Sequence, residues 1–366
     1  MQAIDHLMST QTTSLAEQWK ALSGEEPQLR IRDAAARLGV SEAELLATRV
    51  GAGVLRLQGD WRDFIKALPG LGRVLCLTRN EHAVHERHGV FREIGFFGPP
   101  PQFGNVVGPD IDLRLFLAHW HVGFAVEDKT KEGTRRSFQI FDASGTAVHK
   151  VYLLPESNEA CYLEITERFL AEDQSTTQEV TPAPEPQEEL PDSEIDRPAY
   201  EAEWLALKDT HHFFRLLDKY KVSREQALRL APEGYAWRVK LDSTEKLLRK
   251  ASESKLPIMV FVGNPGCIQI HTGLTENIKW FGDNWLNVLD EEFSMHLKHD
   301  KVASAWVVRK PTQEEGVGYI TSMEIFDANG ENIALFFGKR KPNELECEAW
   351  RELAFSLEKE VSTEVA

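Results

Sequence analysis

An internal duplication narrows the fold of this chain more than any other feature. The stretches 74-VLCLTRNEHAVHERHG-89 and 258-IMVFVGNPGCIQIHTG-273 each run as a β-rich segment, an asparagine, and a second β-rich segment ending in glycine. The correspondence extends upstream, where 29-LRIRDAAARLGVSEAELLATRV-50 parallels 211-HHFFRLLDKYKVSREQALRLAP-232, with Val40 falling on Val222 at an offset of 222 − 40 = 182 residues. Downstream, 112-DLRLFLAHWHVGFAVED-128 parallels 294-SMHLKHDKVASAWVVRK-310, and SFQIFDASG parallels SMEIFDANG, where Asp-Ala-Ser-Gly and Asp-Ala-Asn-Gly are turn chemistry between strands. Each half closes on an amphipathic helix, near 158–172 and 345–359.

The expected fold is therefore α+β: a tandem structural repeat, each half an antiparallel β-sheet with flanking N-terminal helices and a C-terminal helix. Strands do not alternate with crossover helices, which disfavours a doubly wound nucleotide fold. The 366 residues suit two such units. Between them the composition shifts to AEDQSTTQEVTPAPEPQEELPDSEIDR, rich in Pro, Thr, Gln and acid. Such a segment lacks the apolar surface to order itself and reads as a linker. The division is residues 1–171, an acidic Pro-rich linker at 172–197, and residues 198–366.

Cys76, Cys161, Cys267 and Cys347 have no C-x-x-C spacing, so they read as buried thiols in a reducing compartment. The opening residues carry no basic-then-apolar leader, and no apolar run reaches membrane length, so a soluble cytoplasmic protein is expected. With 58 acidic against 42 basic residues the net charge is −16. Any anionic ligand must then be met by a few placed cations.

No phosphate-binding loop, nucleophile elbow or H-E-x-x-H motif is present. FFGPPPQFGN reads as a rigid loop between strands. His82, His85 and His88 cannot share one strand face, so a solvated strand and turn is expected there, and a half-exposed sheet face for His119 and His121. Two features carry more information. In 208-KDTHHFFRLLDKYKVS-223 two adjacent histidines, His211 and His212, open an amphipathic helix, and side chains there point roughly 100° apart. They can serve as alternative ligands, not as a joint one. In 112-DLRLFLAHWHVGF-124 unbroken alternation puts Arg114 on one face with Asp112, Phe116, Ala118, Trp120 and Val122. Arg114 is then either paired with Asp112 at a sheet rim or a fixed cation facing a ligand in an apolar cleft. The helix pairs at 32–50 and in LDKYKVSREQALRL also suggest a helix-turn-helix, although the would-be recognition helix around Glu42 and Glu44 is acidic.

The stretches 209-DTHHFF-214, 78-TRNEHAVHE-86, 111-IDLRLF-116, 259-MVFVGNPGC-267 and 309-RKPT-312, in this order through both halves, resemble the bacterial cytoplasmic hemin-transport and heme-degrading proteins of the HemS/HmuS type. The resemblance implies heme, protoporphyrin IX iron, bound in a cleft between the halves. The first repeat would supply the distal side and the second the axial histidine. It implies His211 as the axial ligand, His212 as an alternative ligand, and Arg114 as the distal residue, which would be catalytic if the protein is an enzyme. Arg224, Phe261, Lys310, Phe337 and Arg340 fall on pocket and propionate-side positions. Phe337 replaces a common tyrosine, and 108-GPD-110 replaces a common Asn-Pro-Arg. The expected function is heme uptake and iron acquisition, with trafficking to a heme oxygenase or exchange with a heme-importer partner. The alternatives are a heme-degrading enzyme, and a DNA-binding regulator in the apo form.

Overall fold

The computed structural model describes residues 13–98, 103–131, 133–185, 188–210, 212–313, 318–340 and 345–360. In the first half, helices Leu15–Glu25 (α1), Ile31–Leu38 (α2) and Glu42–Ala47 (α3) precede strand Val54–Leu57 (β1) and helix Trp61–Ala67 (α4). Strands Val74–Arg79 (β2), Ala83–Gly89 (β3), Ile94–Phe97 (β4), Phe103–Val107 (β5), Asp112–Phe116 (β6), Val122–Thr130 (β7), Gly133–Phe141 (β8) and Ala147–Leu153 (β9) follow, closed by helix Glu159–Arg168 (α5). The second half repeats that order. It has helices Arg197–Leu205 (α6), His212–Tyr220 (α7) and Arg224–Arg229 (α8), strand Ala236–Val239 (β10) and helix Ser243–Glu253 (α9). Then come Ile258–Asn264 (β11), Cys267–Gly273 (β12), Ile278–Phe281 (β13), Trp285–Leu289 (β14), Phe293–Lys298 (β15), Ser304–Pro311 (β16), Tyr319–Phe326 (β17), Asn332–Gly338 (β18) and helix Glu348–Phe355 (α10).

Local chemistry sets the helix ends in both copies. Ser41 caps α3 through a reciprocal capping box with Glu44, and Ser223 caps α8. Gly39 ends α2 in the left-handed region at φ 68°, and its counterpart Lys221 takes the same conformation at φ 52° without glycine's freedom. The helix-turn-helix reading does not survive the packing. Glu42, Ala43, Leu45, Leu46 and Ala47 of α3 are buried, as are Gln226, Ala227 and Leu228 of α8, so neither second helix offers a face to a DNA groove.

The α+β tandem plan is present, but the halves share their sheets. Among the described residues one nine-stranded antiparallel sheet runs β1-β7-β8-β9-β2-β3-β15-β14-β13, and the other β10-β16-β17-β18-β11-β12-β6-β5-β4. Each sheet thus takes six strands from one half and a three-stranded meander from the other. The segment 112–124, read as one alternating strand, is broken for this reason. β6 lies in the second sheet and β7 in the first, and a 3-10 turn at Leu117–His119 carries the chain across. His119 and His121 are therefore exposed residues of a crossing, not a pair on one strand face. The matching turn His299–Lys301 separates β15 from β16.

The repeated asparagines hold the crossing. Asn80 donates through Nδ2 to the carbonyls of Gly263 (3.1 Å) and Ile333 (2.8 Å) in the opposite sheet, while its Oδ1 accepts from the amides of His82 and Ala83. Asn264 mirrors it. It donates to Arg79 O (2.8 Å) and Val148 O (2.9 Å) and accepts from Gly266 and Cys267. Trp120 adds a bond from Nε1 to Gly266 O at 2.9 Å. Behind them β2 packs on β11 and β12 over a seam that includes His85, His149, His271, Thr78, Gln269 and Cys267. His85 is fully buried beside Phe293, correcting the expectation of a solvated histidine there, while His82 bonds Asp327 and His88 bonds the carbonyl of Glu291. Burial pushes His149 down to about 3 and His271 to about 4, so both are neutral at pH 7.

Two further expectations are corrected. Cys76 and Cys267 are buried and Cys161 partly so, but Cys347 is exposed. The linker is tied down by polar contacts: Arg56 donates to the carbonyls of Ser175 and Thr177, and Arg229 pairs with Glu189 and Asp192. Ordering came from two arginines of the repeats, which the segment's own composition does not reveal. Among the described residues no helix is long and apolar enough to cross a membrane. Asn264→Ala removes four hydrogen bonds worth about 1 kcal/mol each, so urea denaturation should show a loss of about 2–4 kcal/mol. A loss under about 0.5 kcal/mol would show that the crossing does not depend on the asparagine.

Candidate functional site

The site lies on the outer face of the second sheet. Residues directly opposite in an antiparallel pair share a face, so the register assembles it strand by strand. Arg114 of β6 stands across from Ile268 of β12, which stands across from Gly263 of β11. One row along, Phe261 of β11 lies between Ile270 and Leu335, and in the next row Met259 faces Phe337. Alternation on β11 separates two roles: Ile258, Val260 and Val262 are buried in the core, whereas Met259 and Phe261 are only half-buried. An apolar sheet face, half-exposed at Met259, Phe261, Ile268, Leu335 and Phe337 and buried at Ile270, thus spans β6 to β18, three strand spacings or about 14 Å. Phe261 and Phe337 pack at 5.0 Å between ring centroids, and Phe103 meets Phe116 edge-on at 5.9 Å. The missing tyrosine hydroxyl leaves Phe337 as part of an aromatic pair.

Gly263 keeps this face flat. A Cβ there would lie 2.7 Å from Ile268 Cγ1 and 3.1 Å from Cys267 O. Arg114 stands at one margin, more than a third exposed, ion-paired to Asp112 and donating from Nη1 to Leu113 O at 3.1 Å. Burial raises the Asp112 carboxyl even against the pull of Arg114. The pairing of Arg114 with Asp112 is present, and Arg114 lies beside the apolar face. Asp110 sits away from this margin, its carbonyl accepting from Arg87 Nε at 3.2 Å.

On the same sheet α6, α7 and α8 pack against Trp306 and Val308 of β16 and Phe326 of β17. Phe213 and Leu216 anchor α7, with Phe213 edge-on to Trp204 at 5.2 Å, while Phe214 is 54% exposed. His212 is the first residue of α7 and half-buried; His211 lies outside the described residues. Of the cations expected near the propionates, Arg340 lies two residues past the end of β18 and is half-buried. Arg224 and Lys310 are otherwise engaged. Glu324 of β17, fully buried, accepts from Arg224 Nε at 2.8 Å, from Lys310 Nζ, and from Ser322 Oγ at 2.9 Å. Burial would raise the Glu324 carboxyl, but the two cations outweigh it and hold it down to about 2. Burial, with Arg224 alongside, brings Lys310 down to about 8. Glu324 escaped the sequence reading because SMEIFDANG shows only a strand with one acid in it. Its misfit with the apolar neighbours on both sides was the available signal.

The first sheet has the corresponding face with different residues. Arg79, Glu86, Lys150, Tyr152 and His296 occupy the places of Gly263, Ile270, Leu335, Phe337 and Arg114. Lys150 is buried in an ion pair with Glu42 of α3, and His296 donates from Nδ1 to Asn287 Oδ1 at 2.7 Å. Only one of the two faces is an apolar platform. A half-open cavity of about 300 Å³ between β1, β7 and α5, lined by Gly53, Leu55, Glu127, Tyr162 and Thr166, belongs to neither face.

Residues 39–169 and 221–357 match the family described as the haemin-degrading HemS.ChuX domain. The chain belongs to that family. It is 36% identical over 340 residues to the hemin transport protein HmuS of Yersinia pestis, covering 93% of this chain and 96% of that one. The crystal structure of holo-PhuS, a heme-binding protein from Pseudomonas aeruginosa, matches at a TM-score of 0.91 with 49% identity, covering 94% of this chain and 99% of that chain. ChuS, a heme-degrading enzyme of Escherichia coli O157:H7, matches at 0.85 with 35% identity, covering 94% and 98%. The two HemS.ChuX matches fall one in each repeat and leave out residues 170–220.

Glu324 fixes a pH dependence. Its depressed folded value means that its contribution is complete above the ordinary 4.5 and is lost as pH falls toward 2. By linkage this amounts to up to about 3 kcal/mol. Urea midpoints at pH 7 and pH 3 should therefore fall further apart in the native protein than in Glu324→Gln.

Proposed function

We propose that this chain binds heme on the outer face of the second sheet, holds it through His211 or His212, and passes it on in the cytoplasm, with a heme oxygenase as the receiving partner. The observation that carries the reading is the apolar platform from Phe116 to Phe337, bounded by the histidine-bearing start of α7 and by Arg114. The donor set fits the ligand. Heme is a flat apolar plate with two carboxylates, and it asks for an aromatic-lined slot, a nitrogen ligand and a few cations. With a net charge of −16 the chain meets those carboxylates only through local cations, of which Arg114 borders the platform.

Heme supplies an iron centre that takes a nitrogen ligand and, once reduced, supports ring opening. The chain's own residues supply the rest. A neutral imidazole at His211 or His212 ligates; Met259, Phe261 and Phe337 exclude water from the ring faces. Arg114, permanently charged and a donor only, presents its guanidinium to the distal side while Asp112 holds it in place. Two adjacent histidines 100° apart favour release and transfer, because one can take the iron as the other lets go.

Degradation by the chain itself is the second reading, and Arg114 favours it: a fixed distal hydrogen-bond donor is more than storage needs. DNA binding is set aside, since α3 and α8 are buried.

Titration of the apoprotein with hemin should saturate at one equivalent, because the charged counterpart face of the first sheet cannot desolvate Arg79, Glu86 and Lys150 against a porphyrin. A second equivalent of comparable affinity would contradict that. Adding an electron donor with catalase present then separates the two readings. A Soret band that persists until a separate oxygenase is added supports the carrier; its loss with an open-chain tetrapyrrole supports the enzyme. Arg114→Ala should leave heme bound, alter the sixth-ligand spectrum and slow any ring opening.

A further inference from the structure

We propose that the half-open cavity of the first repeat, between β1, β7 and α5, is a binding site for a free, neutral, planar aromatic molecule about the size of indole. The site is independent of the heme reading, because none of its lining residues belongs to the platform.

The second repeat shows what the site is shaped for. Leu55 of β1 stands across from Ala125, and Trp237 of β10 stands across from Val307, both at an offset of 237 − 55 = 182 residues. A hydrogen bond repeats the match: Glu127 N donates to Gly53 O and Arg309 N to Tyr235 O, each at 2.7 Å. Leu55 is therefore the counterpart of Trp237, and Gly53 of Tyr235. Trp237 packs against the core that holds Trp350 and Leu353 of α10, with its ring 5.5 Å from Phe355. Its Nε1 has no hydrogen-bond partner among the described residues, so packing alone holds the indole in place. In the first repeat the shorter Leu55 stands there, and about 300 Å³ stays open beside it. An apolar protein cavity of about 150 Å³ takes benzene, so this volume admits a bicyclic ring.

The walls are fixed in the open position. Gly53 has φ 85°, and a Cβ there would lie 2.8 Å from Glu127 O, so that position takes no side chain. Tyr162 stacks on Phe138 at 4.6 Å, and its hydroxyl donates to Val126 O at 3.2 Å. The other polar wall groups are engaged as well. Thr166 Oγ1 donates to Tyr162 O at 2.8 Å, and Glu127 accepts from Arg136 Nε at 2.8 Å. A guest gains nothing there from a charge or a polar head, whereas a flat ring buries apolar area against Ala125 and Tyr162. Leu55 and Leu163, 39% and 52% exposed, would be covered by the same ring. A docked peptide strand fits less well, because the outer edge of β1 already pairs with the chain leaving α5. Gln58 N donates to Phe169 O at 2.8 Å and Ala171 N to Arg56 O at 2.9 Å.

The test titrates the full-length protein, with ¹³C-labelled leucine methyls, with indole. Saturable shifts of the Leu55 and Leu163 methyls are expected, with a Kd of about 1 mM or lower. No saturable shift at those methyls, or shifts confined to Leu335 of the platform, would overturn the site. Leu55→Trp, which restores the filler of the second repeat, should weaken indole binding at Leu163 by about tenfold or more and leave hemin affinity unchanged. Native indole affinity in folded Leu55→Trp would overturn the proposal; if that variant does not fold, the native titration decides alone. N-acetyltryptophanamide carries the same ring on a peptide unit and should bind more weakly than indole. Equal or tighter binding would assign the cavity to a partner's tryptophan and overturn the free-ligand assignment.

Discussion

Two asparagine side chains make the rest of this structure possible. Asn80 and Asn264 each use both amide protons and both lone pairs, half on their own tight turn and half on backbone carbonyls of the opposite sheet. An amide is the only ordinary side chain that can donate twice and accept twice from one planar group. At a point where two sheets meet back to back, each turn needs acceptors and each facing strand end needs donors, so the requirement matches the residue. Because the same chemistry recurs in both repeats, the junction is symmetric, and each half passes a meander of three strands into the other's sheet. Neither half then keeps a complete sheet of its own, and separating them would expose paired strand edges as well as apolar surface.

The exchange has a functional consequence. Arg114 belongs to the first repeat by sequence and to the second repeat's sheet by pairing, where it stands across from Ile268. The platform is therefore built from both copies, with Arg114 and Phe116 from one and Met259, Phe261 and Phe337 from the other. Duplication alone would produce two such faces. Sequence divergence has left one: at the equivalent places Gly263 became Arg79, Ile270 became Glu86 and Leu335 became Lys150, or the reverse. Three ionisable groups on the first sheet's face decide the matter, because a porphyrin laid over them would have to desolvate charges that have no partner on the ring.

Much of this was legible from residue order. The repeat, the antiparallel plan, His212 at the start of an apolar-anchored helix and the arginine beside apolar residues all follow from period and spacing. What was not legible is non-local. The alternation of 112–124 has the period of one strand, and nothing in it marks that Leu117 to His119 turns between two sheets. The linker's composition has too few apolar groups to fold by itself, yet Arg56 and Arg229, distant in sequence, supply the donors its carbonyls and carboxylates needed. His85 looks like a surface residue in a charged stretch, but β3 is an inner strand and carries the ring into the seam between sheets.

The same non-locality explains why two predicted pocket cations are turned inward. Lys310 and Arg224 read as basic residues near an anionic ligand because a sequence shows charges without their partners. Glu324, 14 residues from Lys310 and 100 from Arg224, captures both. One carboxylate between two cations leaves one positive charge in excess beneath the histidine helix. That excess is long-range and weakly screened in a buried setting. It favours the approach of a dianionic porphyrin edge to this side of an acidic protein, so that one buried carboxylate and its two cations shape the field there.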